Sequence, residues 1–365
     1  MSTLRAERRE PSNAEISDGR CSAIMTAERE SNIVTRRRNA PVFVIGCHRS
    51  GTALLYDSLL SAGGFPLYRG APYVHTTLLP ICGDLSVRRN RERLMELWQR
   101  SKPFRRTGFG AEDLRSRILE ECKSGGDFLR ITMGELARRE GAQRWVAHDC
   151  DNIMYMPIIK REIPDALFVQ VVRDGRDAAL SMRKQHVVNP RLWPRKRALL
   201  AWALLWQWTA RKGRRFGEGF PSDYIEVRYE DLVREPAKTL TVLGEFLDHD
   251  LDHNRIQRNA SGRLVSPNTV WEEEIRQETF SPIGRWKTRL SATEIAAVEV
   301  LIGDCLEEFE YPLAAGPRGS ARLDPILGAM RAFYPRYFEA KLFLRSRTVV
   351  GRLANPGRLE LTPAI

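Results

Sequence analysis

Two short apolar runs have the length and β-branched content of buried parallel strands, and each leads directly into a helical pattern. The first run occupies residues 42–45, and a turn with glycines at positions 46 and 51 follows it. The second occupies residues 166–172 and also runs into helical spacing. Strands that alternate with helices indicate an α/β fold whose central sheet is mainly parallel.

Further segments extend this alternation along the chain. Residues 144–149 predict a short strand beside the first one, and a helix over about 152–162 would connect it to the second run, as in βαβ units. Residues 224–233 alternate like a strand before polar residues open a helix. The other predicted helices are the segments near 86–100, 112–122 and 127–140, the apolar stretch 198–206, and a helix from 291 to about 309 that begins with a capping box.

Composition limits the number of domains. A chain of 365 residues with 42% hydrophobic content can bury one large core. We predict a mobile tail over residues 1–40, which are rich in charge and serine, because such a composition does not favour a packed core. A single domain over residues 41–312 and a basic amphipathic extension over residues 313–365 complete the predicted organisation.

The chain carries a net charge of +12, and half of it lies in the C-terminal extension. From Gly316 to the end, nine basic residues face three acidic ones. Tyr334, Phe338 and Leu342 share one helical stripe there, and Pro335 is expected to disrupt the first turn. Docking on the domain, pairing with another subunit and contact with an anionic membrane are three readings that the sequence leaves open.

The turn after the first strand predicts a phosphate site. Backbone N–H groups at such a helix start bind phosphate, and the spacing from Gly46 to Gly51 is that of a Walker A loop. However, Thr52 stands where the Walker lysine would be, and Ala53 stands where the metal-binding hydroxyl would be. The turn therefore suits a phosphate bound without magnesium, and Arg49 offers a cation that can bridge two oxygens. On this motif alone, an ordinary turn without a ligand is the alternative.

This turn resembles the loop of sulfotransferases that use 3′-phosphoadenosine-5′-phosphosulfate (PAPS). It reads Cys47-His48-Arg49-Ser50-Gly51-Thr52-Ala53, where the bacterial and tyrosylprotein branches usually have Pro-Arg-Ser-Gly-Thr-Thr. His48 thus replaces the common Pro, and Ala53 replaces the second Thr. The resemblance implies a P-loop-type three-layer α/β/α fold and a domain over residues 41–312 that moves a sulfuryl group from PAPS to a hydroxyl or amine. It assigns residues 47–53 to the 5′ phosphosulfate end, with Arg49 also stabilising the transition state.

Three later segments resemble further elements of the same family, in the family's order. Arg173 and Ser181 keep the spacing of the pair that binds the 3′ phosphate, and Tyr229 lies in an Arg-Tyr-Glu-Asp-Leu element whose Tyr lies near the nucleotide. The late Gly-Arg-Trp-Lys loop would close over the cofactor with Arg285 as its favoured cation and Lys287 as the second. Taken singly, each segment also suits an ordinary helix start, a packed tyrosine or a loop anchored by tryptophan.

The general base for the acceptor has no clear place in this resemblance. Family members carry a Glu shortly after the first helix or a His further along, but residues 66–77 contain no carboxylate. His75 is the nearest candidate in that segment, and His148 and Asp149, at the end of the predicted short strand, are the other two. A protein that needs no strong base and a weak or inactive relative are the alternatives.

Two other classes of function are compatible with the sequence. One is a P-loop kinase for a small molecule, which the missing lysine and hydroxyl disfavour, and the other is a non-catalytic protein that binds an anion. For the leading reading we expect a small-molecule, glycan, lipid or peptide acceptor and no nucleic-acid partner. We expect no metal, because the histidines do not cluster with cysteines at ligand spacing. Six scattered cysteines favour the cytoplasm, with peripheral membrane contact left open.

Overall fold

A computed structural model describes the protein over residues 37–185, 198–265, 281–314, 325–353 and 356–362. The tail predicted for residues 1–40 lies outside these ranges except for its last four residues. Arg37 in that short piece donates hydrogen bonds to the carbonyl oxygens of Ser222 and Phe246, at 2.6 and 2.5 Å. The chain is therefore attached to the domain just before the first strand begins.

The central sheet has four parallel strands within the described ranges, in the order β2-β1-β3-β4. Their bounds are β1 Val42–Gly46, β2 Val146–His148, β3 Leu167–Val172 and β4 Tyr224–Arg228. Val42 pairs with Val146 on one side and with Leu167 on the other. The prediction of a short strand beside the first one is therefore confirmed, and so is the mainly parallel sheet.

Helices surround this sheet. In chain order they are α1 Thr52–Ala62, α2 Leu79–Cys82, α3 Arg88–Gln99, α4 Lys102–Arg105, α5 Arg115–Glu121, α6 Gly125–Arg139, α7 Met156–Glu162, α8 Gly175–Gln185, α9 Ala198–Gly217, α10 Tyr229–Arg234, α11 Pro236–Leu247, α12 His253–Arg258, α13 Trp286–Arg289, α14 Ala292–Glu308 and α15 Pro325–Arg347. Short 3₁₀ turns lie at Cys150–Tyr155, Pro221–Asp223, Gly262–Leu264, Val349–Leu353 and Pro356–Leu359, and Val74–Leu78 is a π-helical turn.

Alternate residues of the first strand point into two different apolar layers. Phe43 and Ile45 belong to a core that includes α3, α6 and α7, whereas Val42 and Val44 belong to one that includes α1 and α11. All four side chains are fully buried. A sheet covered on both faces is the reason why its strands read as nearly continuous apolar runs. The predicted three-layer α/β/α architecture is therefore confirmed.

The helices predicted before and after β2 are present, with one change of conformation. The connection to β3 begins as the 3₁₀ turn Cys150–Tyr155 and becomes α-helical only at Met156. Pro157 lies in the first turn of α7, where its missing N–H group costs no helical hydrogen bond. Later in the chain, Ser291 and Glu294 form the predicted capping box at the start of α14.

A third apolar cluster joins α9, α14 and the C-terminal helix α15. Trp202 and Trp206 of α9 are buried in it, as the apolar stretch 198–206 predicted. Tyr334 of α15 is fully buried in the same cluster, and Phe338 packs against it. The aromatic stripe of the C-terminal segment thus docks on the domain. Within the described ranges, no helix combines the length and the apolar character needed to cross a bilayer.

Pro335 lies inside α15 and not in its first turn, which begins at Pro325. The expected disruption of the first turn is therefore wrong. A proline inside a helix removes one hydrogen bond to the preceding turn. The burial of the adjacent Tyr334 against α9 and α14 explains why the helix continues across that point.

Candidate active site

The loop after β1 and the segment after β3 meet at the carboxyl edge of the sheet. β1 and β3 are neighbours, whereas β2 lies on the other side of β1, so the strand order reverses between them. Such a reversal opens a crevice where α/β sheets bind ligands. Arg173, directly after β3, donates from its guanidinium to the carbonyl oxygen of Arg49 at 3.0 Å. The two predicted anion-binding segments therefore face one crevice.

The backbone of the loop explains two features of its sequence. Gly51 has a φ of 97°, in the left-handed region, and a Cβ atom there would lie 2.2 Å from Tyr229 Cδ2. Glycine is the residue that admits both the conformation and the contact, so the Tyr229 ring lies directly against the loop. Arg49 has a φ of 68°, which is uncommon for a residue with a side chain. Strain of this kind persists where the surrounding structure holds the backbone, often at functional sites.

Arginine side chains lie close together in the crevice. Arg49 Nε donates to Ser181 Oγ at 3.0 Å, and the guanidinium carbon of Arg173 lies 4.5 Å from the centre of the Tyr229 ring. Burial, followed by the positive charges of Arg173 and Arg263, lowers the pKa of Arg49 to about 10. Cations that repel one another in a buried crevice are stabilised by a ligand with several negative charges.

The Gly-Arg-Trp-Lys loop also reaches the crevice. Asp177 of α8 accepts hydrogen bonds from the backbone N–H groups of Gly284 and Trp286, at 2.7 and 2.9 Å. Burial raises the pKa of this carboxyl to about 6. Arg285, which lies between Gly284 and Trp286 in the chain, is half-buried, and burial lowers its pKa. Lys287 is exposed. Arg285 is thus the cation that this loop adds to the crevice.

Two donors in the crevice are buried and unsatisfied. Ser50 Oγ and Arg173 Nε have no hydrogen-bond partner within the part of the chain that the structure describes. An unpaired buried polar group costs about 1 to 3 kcal/mol, and phosphate oxygens would satisfy both donors. The Cys47 side chain packs into the apolar cluster of α9, and Ala53 has no polar side chain. These two residues can therefore contact a phosphate only through their backbone N–H groups. The residues present therefore fit a phosphate-bearing ligand.

His148, at the end of β2, lies against the same loop. Its Nε2 is 3.0 Å from Thr52 Oγ1, and its ring stacks on Tyr56 with the centroids 5.1 Å apart. Cys150 Sγ lies 3.3 Å from the same hydroxyl. Burial opposes ionisation of this thiol, but the nearby His48 and His148 lower the pKa of Cys150 well below its ordinary value. The Thr52 hydroxyl therefore has an imidazole and a readily ionised thiol as neighbours.

Two carboxyl groups follow β2 in close succession. Asp149 accepts from Thr76 Oγ1 at 3.0 Å and from the backbone N–H of Asp151 at 3.1 Å, and burial raises its pKa to about 6. Asp151 lies 3.0 Å from His48 Nε2 and accepts a hydrogen bond from Arg358. Burial alone would raise the pKa of Asp151, but His48 and Arg358 lower it. The two neighbouring carboxyl groups thus differ in the pH at which they take up a proton.

His75 does not face the loop. Its side chain is 1% exposed, and its Nε2 lies 3.0 Å from Glu162 Oε2. The next residue, Thr76, is the one that reaches Asp149. Of the three candidate bases, the structure brings His148 against the loop, places Asp149 beside Thr76 and Asp151, and places His75 against Glu162.

Several residues of the crevice lie outside the sequence motifs. They are Cys150, Asp151, Arg263 and Arg358. Asp151 and Arg358 are 207 positions apart, and a single sequence carries no signal for so distant a pair. The run Asp149-Cys150-Asp151 is different, because polar residues at the carboxyl ends of parallel strands gather at the ligand crevice. Within the described ranges, no group of three or more His, Cys, Asp or Glu residues is arranged to hold a metal ion.

Comparison with known proteins identifies a family whose members this chain resembles. A family model described as "Sulfotransferase family" matches residues 41–253, which is more than half of the chain. Among solved structures, the sulfotransferase domain from the Synechococcus PCC 7002 olefin synthase is 20% identical, with a TM-score of 0.50 over 75% of this chain and 95% of that one. The sulfotransferase domain from the curacin biosynthetic pathway is 16% identical, with a TM-score of 0.49 over 75% and 98%.

A third similar structure is mouse sulfotransferase SULT7A1 complexed with PAP. It is 12% identical, with a TM-score of 0.41 over 81% of this chain and 89% of that one. No curated protein matches the chain in sequence. The family match includes the loop at residues 47–53 and Tyr229 but ends before the loop at residues 284–287. With this match over more than half of its length, the chain belongs to the sulfotransferase family.

Proposed function

We propose that the protein moves a sulfuryl group from PAPS to a hydroxyl or amine of an acceptor, without a metal ion. The main support is the approach of Arg49, Arg173 and Arg285 to one another in a crevice that also holds two unsatisfied donors. A nucleotide with anionic groups on both sides of its ribose has the charge that this crevice needs. Thr52 and Ala53 replace the lysine and the hydroxyl with which a Walker A loop holds a magnesium triphosphate.

The two ends of the nucleotide would occupy different parts of the crevice. The 5′ phosphosulfate end would lie on the loop at residues 47–53, where backbone N–H groups and the Ser50 hydroxyl are the donors. The 3′ phosphate would lie on Arg173 and Ser181. Because Arg49 Nε already donates to Ser181 Oγ at 3.0 Å, its guanidinium lies between these two regions. From there it would stabilise the negative charge that develops on the leaving phosphate.

The proposed reaction is an in-line transfer. The acceptor oxygen or nitrogen forms a bond to sulfur while the bond from sulfur to the bridging phosphate oxygen breaks, and adenosine 3′,5′-bisphosphate (PAP) leaves with that electron pair. The acceptor's proton passes to a base on the protein. As in phosphoryl transfer, charge builds on the moving group and on the leaving oxygen, so positioned cations supply most of the stabilisation.

We assign the base to His148. Its Nε2 lies 3.0 Å from Thr52 Oγ1 of the loop, and the stacked Tyr56 ring fixes its orientation. Asp149 is less suitable, because both of its oxygens accept hydrogen bonds within the protein. His75 is less suitable because its side chain is almost completely buried and lies against Glu162, not against the loop. A candidate base has to reach the attacking group, and His148 is the one beside the loop.

Isothermal titration calorimetry with PAP tests the nucleotide assignment. We expect the wild-type protein to bind PAP, and we expect Arg49→Ala and Arg173→Ala to weaken binding by about ten- to a hundredfold, because each removes charge-assisted hydrogen bonds. Arg215→Ala is the matched control, since Arg215 is exposed on α9. The proposal would be contradicted if the wild type did not bind PAP, or if both crevice variants bound PAP as tightly as the wild type does.

Two further arms of this experiment separate the alternatives. Binding of ATP with Mg²⁺ in place of PAP would indicate a small-molecule kinase. PAP binding without any labelled product from radiolabelled PAPS and an extract of the source would indicate a non-catalytic relative. Transfer that is unchanged by a chelator is the expected result for a reaction without metal.

We also propose that the C-terminal segment contacts anionic membranes. Among its described residues beyond position 340, the exposed large apolar ones are Phe343, Leu344, Val349, Val350 and Leu353. Exposed basic residues alternate with them, namely Lys341, Arg347 and Arg352. A surface that combines apolar and basic side chains suits the headgroup region of an anionic bilayer, where each basic residue contributes about 1 kcal/mol.

Vesicle flotation tests this contact. Wild-type protein should float with vesicles of phosphatidylcholine and phosphatidylserine, and the double variant Arg347→Glu/Arg352→Glu should remain at the bottom of the gradient. Neutral vesicles provide the comparison for charge. Failure of the wild type to float with anionic vesicles would remove the membrane proposal and leave the nucleotide assignment intact.

A further inference from the structure

The last described turn of the chain lies outside the family match, yet it is connected through Asp151 to the loop at residues 47–53. Arg358, in the turn Pro356–Leu359, donates to Oδ2 of Asp151, and Oδ1 of the same carboxylate lies 3.0 Å from His48 Nε2. His48 belongs to the loop at residues 47–53. One carboxylate therefore connects the C-terminal segment with the loop to which we assign the 5′ end of the nucleotide.

The chain that directly follows Arg358 is held at two points. Leu359 is fully buried in the core layer that contains Phe43 of β1. Three residues after Leu359, the chain is held again, because Thr362 donates its backbone N–H to the carbonyl oxygen of Arg100 at 2.9 Å. Arg358 is thus attached to a rigid base and not to a free tail, so its contact with Asp151 can restrain the residues beyond it.

The loop needs such a restraint. Arg49, the residue after His48, has the left-handed φ of 68°, and an uncommon conformation persists only where neighbouring groups hold it. The preceding residue, His48, has no ring closure that would restrict its own backbone, as a proline would have. Its side chain provides a contact instead, because its Nε2 lies 3.0 Å from Asp151 Oδ1.

We propose that Arg358 is a positioning residue for the loop at residues 47–53. It holds Asp151, Asp151 holds His48, and this chain of contacts keeps the backbone at Arg49 in the conformation that receives the nucleotide. The consequence for nucleotide affinity rests on the proposed function, whereas the consequence for the loop does not.

Hydrogen exchange of the nucleotide-free protein tests the effect on the loop. Peptides that contain residues 47–51 should exchange at least about tenfold faster in Arg358→Ala than in wild type, because the loop amides open more easily without the contact. Arg358→Lys should restore part of the protection, since it keeps the charge. Arg336→Ala is the matched control, because it removes one exposed arginine from the same segment. Peptides from α12, which lies away from the contact, should be unchanged in all three variants.

Calorimetry with PAP tests the effect on affinity. Arg358→Ala should weaken PAP binding about tenfold, Arg358→Lys less, and Arg336→Ala not measurably. Loop exchange that is unchanged in Arg358→Ala would overturn the inference. So would faster exchange throughout the molecule, because that would indicate a general loss of stability. If the wild type binds no PAP, the proposed function fails, and the exchange result alone decides whether Arg358 positions the loop.

Discussion

The groups that we assign to the nucleotide and the contacts that support them are built in different ways. The assigned groups lie in the loop after β1, the segment after β3 and the loop at residues 284–287, and each of these is a short contiguous motif. The contacts behind the first loop instead join distant positions, since His48 and Asp151 are 103 positions apart and Asp151 and Arg358 are 207 apart. The comparison shows that short motifs supply the proposed ligand-binding groups of this crevice, whereas long-range contacts hold the first of those motifs in place.

The largest expected effect separates chemistry from nucleotide binding. His148→Gln should lower sulfuryl transfer about 10²- to 10⁴-fold, because glutamine can keep a polar contact with Thr52 but cannot take up a proton. PAP affinity should stay close to that of the wild type. The measurement is transfer of labelled sulfuryl from PAPS to the acceptors of an extract, alongside calorimetry with PAP. His75→Gln is the comparison, and loss of transfer in that variant with retention in His148→Gln would reverse the assignment of the base.

A second prediction tests the contact between the loop and Tyr229. Gly51→Ala should lower the free energy of unfolding by several kcal/mol and weaken PAP binding, because the new Cβ would lie 2.2 Å from the ring and the φ of 97° is unfavourable for alanine. Gly141→Ala is the matched control, with a φ of 67° and open space around its Cβ. It should lose about 1 to 2 kcal/mol and keep its PAP affinity. Equal losses in the two variants, measured by urea unfolding, would show that the ring does not lie against the loop.

A third prediction concerns the pH dependence of stability. The pKa of Asp149 is raised to about 6 in the folded protein, so the folded state binds its proton more tightly than the unfolded state. This contribution is complete below about pH 4 and is lost as the pH rises through about 6. As the pH rises from about 4 to 7, the free energy of unfolding of Asp149→Asn should therefore improve relative to that of the wild type, because the amide has no such contribution to lose. A difference that is constant with pH, in urea titrations across this window, would contradict the burial of this carboxyl.

The smallest effect distinguishes one thiol from the others. Cys47, Cys82, Cys122 and Cys305 are buried, and burial raises the pKa of each, whereas Cys150 is half-buried and its pKa is lowered. At neutral pH iodoacetamide should modify Cys150 first among these five, since the thiolate is the reactive form. PAP should slow the reaction, because Cys150 lies 3.3 Å from Thr52 of the loop. Peptide mass mapping with and without PAP gives the result, and modification of Cys305 before Cys150 would be inconsistent with it.

The sequence predicted the fold well because its determinants are local. The apolar runs at residues 42–45 and 166–172 became β1 and β3, and polar residues with turn spacing ended them where expected. The same locality explains the convergence of Arg49 and Arg173, since neighbouring parallel strands present their carboxyl ends together.

The rest of the crevice depends on contacts that no local pattern encodes. His75 and His148 were both candidates in the sequence, and contacts of the folded chain distinguish them, since His75 lies against Glu162 and His148 lies against Thr52. Arg358 lay in a segment interpreted by its charge and its amphipathic stripe, and its contact with Asp151 depends on how the C-terminal turn docks. Pro335 was expected to disrupt the first turn of a helix that in fact begins ten residues earlier, at Pro325.

A crystal structure with PAP bound decides where the nucleotide lies. We expect the 5′ phosphate on the backbone N–H groups of the loop at residues 47–53, within hydrogen-bond distance of Ser50 Oγ, and the 3′ phosphate on Arg173 and Ser181. PAP bound away from the crevice between β1 and β3, or with its 3′ phosphate out of reach of Arg173, would contradict it.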